Sequence, residues 1–104
     1  YRNNRNHLDA YFQTGIQLAE LDRHEQALKV FDNILERYQK YKDNPHFIYA
    51  KSRSKAALNE TDEALALLKI ATKSKVGKII KKWAAEDKAF DKLLGVPEFE
   101  NIIK

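Results

Sequence analysis

The sequence predicts an all-α fold on three observations. The stretch Leu21-Asp-Arg-His-Glu-Gln-Ala-Leu-Lys-Val-Phe31 recurs at residues 58–68, so that Leu21, Ala27 and Leu28 return as Leu58, Ala64 and Leu65, with a large apolar residue again at Phe31 and Leu68. Recurrence at such a period points to stacked copies of one helical unit, each leaning on the next, with no single catalytic centre. Apolar residues also fall three and four apart along most of the chain, the spacing that gathers them on one side of a helix. Finally, only 3 glycines and 2 prolines interrupt a sequence rich in Lys, Glu, Ala, Leu and Gln, which are good helix formers. At 104 residues the chain is expected to be a single domain, 1–104, built round one core.

The first helix is expected over residues 8–20, with Leu8, Tyr11, Phe12, Gly15, Ile16, Leu18 and Ala19 on its apolar stripe. A mid-helix glycine costs about 1 kcal/mol relative to alanine. Gly15 therefore predicts a close helix approach, with Ala27 as the expected partner. Asp22 and Arg23 form a short polar turn into a second helix over residues 24–41, whose inner face carries Ala27, Leu28, Phe31, Ile34, Leu35, Tyr38 and Tyr41. So short a link makes residues 8–41 an antiparallel hairpin.

Asn44-Pro45 is a helix-start signal, because asparagine caps free amides and proline suits the first turn. A third helix follows over 45–58, packing Ile48, Tyr49, Ser52, Ala56 and Ala57. After the turn at Asn59 and Glu60, Thr61 or Asp62 is expected to cap a fourth helix bearing Ala64, Leu65, Leu68 and Ala71, which completes a second hairpin over 45–72. Residues 73–104 break the repeat. Short helices are expected near 77–86, 88–94 and 98–103, with Gly95 stopping one and Pro97 opening the next. The apolar residues Ile79, Ile80, Trp83, Phe90, Leu93, Leu94, Phe99, Ile102 and Ile103 are too many for water and predict a helical cap on the open side of the second hairpin, with Trp83 as its central plug.

On these residues the chain resembles the tetratricopeptide repeat family, a helix-turn-helix unit marked by an aromatic, a leucine-glycine pair, a tyrosine, then alanine, three residues and phenylalanine. Tyr11, Gly15, Leu18, Ala27 and Phe31 match in spacing. In the second unit Ile48 stands for the aromatic, Ser52 for the glycine and Lys55 for the tyrosine, followed by Ala64, Leu68 and Ala71. Lys55 is the largest departure, and the proline that usually follows a unit is displaced to Pro45. The tail is similar to the segment closing many bacterial arrays of this family: an acidic residue (Asp87), Phe90, the pair Leu93-Leu94, and Pro97-Glu-Phe-Glu-Asn-Ile-Ile103.

The resemblance implies an α-α superhelix of two hairpins closed by a cap, and a non-enzymatic module that binds a peptide or protein along the concave surface of the first helices. That surface would hold Asp9, Phe12, Gln13 and Ile16, then His46, Tyr49, Ala50 and Arg53. Phe12 and Tyr49, aromatics beside an arginine, are the best anchors on it. The alternative is that both are buried between the hairpins or beneath the tail. Some members grip a partner's C-terminal carboxylate with lysine and asparagine, but the matching positions here hold Phe12 and Ile16, so an apolar or mixed partner surface is expected.

The net charge of +4 is uneven: residues 42–82 carry ten basic and four acidic side chains, and no acid occurs among residues 64–85. Lys73, Lys75, Lys78, Lys81 and Lys82 therefore form a second candidate surface, for a polyanion, nucleic acid or acidic partner. The competing reading is the solvated face of an amphipathic helix, since Ile79, Ile80 and Trp83 interleave with them. Arginine is sparse there and no nucleic-acid-binding motif appears. His7, His24 and His46 are scattered without metal-ligand spacing, cysteine is absent, and no serine lies in a nucleophile elbow, so no catalytic, metal or cofactor site is expected. No apolar run approaches the roughly 20 residues of a membrane span, which predicts a soluble, cytoplasmic protein. The absence of methionine suggests a processed or excised piece.

Overall fold

The structure, a computed structural model, describes the backbone of residues 4–104 and the side chains of residues 10–39 and 41–104. The parts expected of His7, Leu8 and Asp9 lie outside the described side chains. Among the described residues every regular element is helical: α1 (Asn4–Glu20), α2 (His24–Arg37), a 3-10 segment (Gln39–Asp43), α3 (Pro45–Ala57), α4 (Thr61–Thr72), α5 (Gly77–Glu86), a second 3-10 segment (Lys88–Leu93) and α6 (Pro97–Ile103). Helices α1 and α2 pair as one hairpin, α3 and α4 as another, and the remaining elements pack onto α3 and α4.

The two hairpin turns share one backbone solution. Asp22 and Asn59, at matching places of the repeat, both adopt left-handed backbone angles, with φ of 63° and 67°. Behind them the amide of Arg23 donates to the carbonyl of Leu18 at 2.8 Å, and the amide of Glu60 to that of Lys55 at 2.9 Å. These are Schellman closures, which satisfy the otherwise orphaned carbonyls at a helix end. Aspartate and asparagine suit the site because, after glycine, they tolerate that conformation best.

Two expected boundaries need correction. The second helix ends at Arg37 and does not reach residue 41, because Tyr38 leaves the helical region (φ −136°, ψ 75°) and the chain continues as a 3-10 turn. Tyr38 is thereby exposed, while Tyr41 packs back on Phe47 with ring centroids 6.0 Å apart. The start of α4 has no side-chain cap from Thr61 or Asp62; Glu60 occupies the cap position. The cap expected at Asn44 is present, its Oδ1 accepting from the amides of His46 (2.9 Å) and Phe47 (3.3 Å).

The core has two centres. The first joins Ala19, Ala27, Phe31, Ile34, Phe47 and Ala50, with Phe12, Ile16 and Leu28 packed against it. Its middle is a triangle of rings, Phe12, Phe31 and Phe47, each pair 5.7 Å apart between centroids, within the range at which aromatic pairs attract beyond their burial. A methyl group added at Gly15 would sit 2.5 Å from Cε1 of Phe31. The close partner of Gly15 is thus the Phe31 ring, not Ala27.

The second centre joins Ile48, Tyr49, Ala56, Ala64, Leu65, Leu68 and Ala71 to Ile80, Ala84, Phe90, Leu93 and Phe99 from the tail. The tail does cap the second hairpin, but Trp83 is not its plug. Trp83 is 41% exposed, and Ile79 (50%) and Leu94 (54%) also face solvent, while Phe90 and Phe99 are fully buried with stacked rings.

Helix α3 lies between the two centres and is buried on both sides, by Phe47 and Ala50 on one and Ile48, Tyr49 and Ala56 on the other. Ser52 and Ser54 are fully buried within it. The Ser52 hydroxyl donates to the carbonyl of Ala64 at 2.7 Å, and Ser54 Oγ lies 3.3 Å from His24 Nδ1. Lys55 reaches across the hairpin to Glu63 (2.8 Å) and Glu60 (3.3 Å).

Candidate functional site: a groove fastened by Asp87

The residues expected on the first-helix surface fall into distinct environments. Gln13 and His46 are exposed; Phe12 and Ile16 are partly buried against the first core. Tyr49 is only 8% exposed, and Arg53 is partly covered. Tyr49 and Arg53 converge on Asp87, a residue 34 to 38 positions away. Phe12 joins Phe47 instead, and His46 meets Trp83, ring centroids 5.6 Å apart.

Asp87 ties the tail to α3. Its Oδ2 accepts from the Tyr49 hydroxyl at 2.8 Å, and its Oδ1 accepts from Arg53 Nη2 at 3.3 Å and from the amide of Ala89 at 2.9 Å. The last bond caps the 3-10 segment Lys88–Leu93. Arg53 Nε sits 3.0 Å from Oδ2 as an ion pair, although its N–H is not aimed for a hydrogen bond. Burial pushes the Tyr49 phenol well above its ordinary range, and its bond to Asp87 adds to the shift, so the hydroxyl stays protonated as a donor. Charge-assisted bonds of this kind are stronger than neutral ones, and the rings of Phe90 and Trp83 pack on Tyr49, each with its centroid within 6 Å.

Beside this network a groove of about 650 Å³ opens between the α1–α2 turn, α3, the end of α5 and the second 3-10 segment. Glu20 and Asp22 form one wall, Arg53 and Ala57 the floor, and Glu86 and Lys88 the other wall. Both walls carry carboxylates, and the floor has a guanidinium already paired with Asp87. Such a surface can hydrogen-bond and charge-pair with an extended chain laid along it. Sequence reasoning placed Arg53 here but not Glu20, Glu86 or Asp87 as parts of one surface.

The basic group is spread over two neighbouring depressions and an exposed helix face. Lys73 and Lys81 border a depression of about 360 Å³ together with Lys69, Glu98 and Asn101. Lys81 Nζ also donates to the carbonyl of Lys104 at 3.2 Å. Lys75 and Lys78 border an adjoining depression with Ile79, which shares Thr72 and Lys81 with the first, and Lys82 is exposed. Among the described residues no group of three or more His, Asp or Glu side chains is placed to hold a metal ion, and no helix is long and apolar enough to cross a membrane. No family model, curated protein or solved structure matches the chain.

Proposed function

We propose that the chain is a non-enzymatic protein-interaction module, a tetratricopeptide-like pair of hairpins that binds a peptide or protein partner in the groove lined by α1, α3 and the end of α5. The observation that carries the reading is the groove itself, walled by Glu20 and Glu86 and floored by Arg53. The repeat reading draws support from the matching closures at Asp22 and Asn59, which make the two hairpins alike in backbone as well as in sequence. Burial of Tyr49 and Phe12 moves the proposed contact away from those two rings and toward the groove residues Glu20, Asp22, Arg53 and Glu86.

The test is a selection from a displayed peptide library followed by titration of the recovered peptides. Recovered peptides are expected to lose affinity for Glu20→Lys with Glu86→Lys, two exposed positions whose reversal leaves the melting temperature unchanged. Failure to recover any peptide, or binding indifferent to both reversals, rejects the groove as the contact surface. A second reading, binding of a polyanion or nucleic acid through Lys73, Lys75, Lys78, Lys81 and Lys82, is favoured by the absence of acid across residues 64–85. It predicts binding that collapses as salt rises, whatever the sequence of the ligand.

A further inference from the structure

We infer that the outer face of α5 takes an acidic peptide segment bearing a large apolar side chain. The inference rests on the peptide-binding reading above and names the partner's chemistry. Ile79 and Trp83 are one helical turn apart and so share a face. They are 50% and 41% exposed, although Ile80 and Ala84 of the same helix are fully buried. Trp83 is held in place: its ring lies 5.8 Å from Tyr49 and 5.6 Å from His46, and Tyr49 is itself bonded to Asp87. An aromatic platform fixed before binding loses little side-chain freedom when a partner arrives.

Lys78 and Lys82 run alongside, again one turn apart and both exposed. Among the described residues the ion pairs engage Lys51, Arg53, Lys55 and His24, and neither of these two lysines. No acid lies on α4 after Glu63 or on α5 before Glu86, so along these helices Lys78 and Lys82 have no acidic neighbour to offset their attraction for an anionic partner. An apolar side chain on Ile79 and Trp83, flanked by carboxylates on Lys78 and Lys82, matches both features at once. The aliphatic Ile79 gives nothing to a phosphate backbone, which favours a peptide over a nucleic acid.

Trp83 is the only tryptophan, so its emission reports directly on the face. The probes are two synthetic amphipathic peptides with the same leucines, one with a glutamate polar face and one with a lysine polar face, and a short single-stranded oligonucleotide. The acidic peptide is expected to shift Trp83 emission saturably and to weaken as salt rises, while the basic peptide leaves it unchanged. Lys78→Glu with Lys82→Glu should reduce affinity about tenfold, and Ile79→Ser should also reduce it, both without lowering the melting temperature. Equal binding of the two peptides, an affinity untouched by the lysine reversals, or an oligonucleotide bound as tightly with the same lysine dependence overturns the inference. If library peptides bind through Glu20 and Glu86 but ignore α5, this inference falls and the groove stands; if neither the library nor the synthetic peptides bind, both fall.

Discussion

In the first hairpin the ring of Phe31 lies over Gly15, and Phe12 and Phe47 close the space around it. At the matching places of the second hairpin stand Ser52 and Leu68, and the rings are supplied from outside by Phe90 and Phe99 of the tail. The first hairpin therefore completes its core with its own aromatics and one from α3. The second has aliphatic residues, a buried hydroxyl bonded to Ala64, and a cap that must be held down. One helical frame thus accommodates two kinds of packing. The more dependent of the two carries the polar fastening, where Tyr49 and Arg53 bind Asp87.

That contrast breaks most visibly at Asp87. Asp87→Ala leaves the partly covered Arg53 without its counterion and the Tyr49 hydroxyl without its acceptor. A loss of about 2–3 kcal/mol is expected, read as a lower midpoint in urea unfolding. A loss within experimental error would mean that apolar contact alone seats the cap.

The glycine and serine sites sharpen the comparison at intermediate size. Gly15→Ala forces a methyl group into the Phe31 ring and should cost about 1–3 kcal/mol. Ser52→Ala removes only the bond to Ala64 and should cost about 1 kcal/mol. Thermal melts that rank the two in the opposite order would show that the hairpins do not differ in this way.

The smallest effect is at Lys55, where the second hairpin has an ion pair at the place of Leu18 in the first. Its hydrogen bond to Glu63 holds that exposed carboxyl below its ordinary range and raises the Lys55 ammonium above its own. The sign follows from each shift. The Glu63 contribution is present above the ordinary carboxylate pKa and lost as pH falls through the lowered one. The Lys55 contribution is present below the ordinary lysine pKa and lost as pH rises through the raised one. Melting temperatures followed into acid should fall slightly more for the native chain than for Lys55→Gln; parallel curves would assign the pair no role.

Much of this architecture was legible in the residues because it is local. Asn44-Pro45 opens α3 through a cap two and three residues long in reach, and Ala27, Phe31, Ala64 and Leu68 fall inward by helical spacing. Tyr38 and Tyr41 kept that spacing yet left the helix, because periodicity carries no sign of where the backbone turns. Phe47 and Ser54 were passed over, and Ala50, buried in the first core, was placed on the binding surface, because a helix covered on both sides has no single apolar stripe to read. The groove was only half legible. Its floor residue Arg53 lies at a repeat position, whereas Asp87, Glu20 and Glu86 reach it from distant parts of the chain without periodic signal. Trp83 was misplaced for a related reason, since its neighbours His46 and Tyr49 cover one side of the ring and leave the other to solvent.

The second hairpin depends on a cap fastened by Asp87, and the first does not. Native-state hydrogen exchange of Asp87→Ala, resolved by helix, tests it most directly. Amides of α4, α5 and α6 are predicted to lose protection while those of α2 keep theirs. Equal loss in α2 and α4, or unchanged protection in α5 and α6, would contradict it.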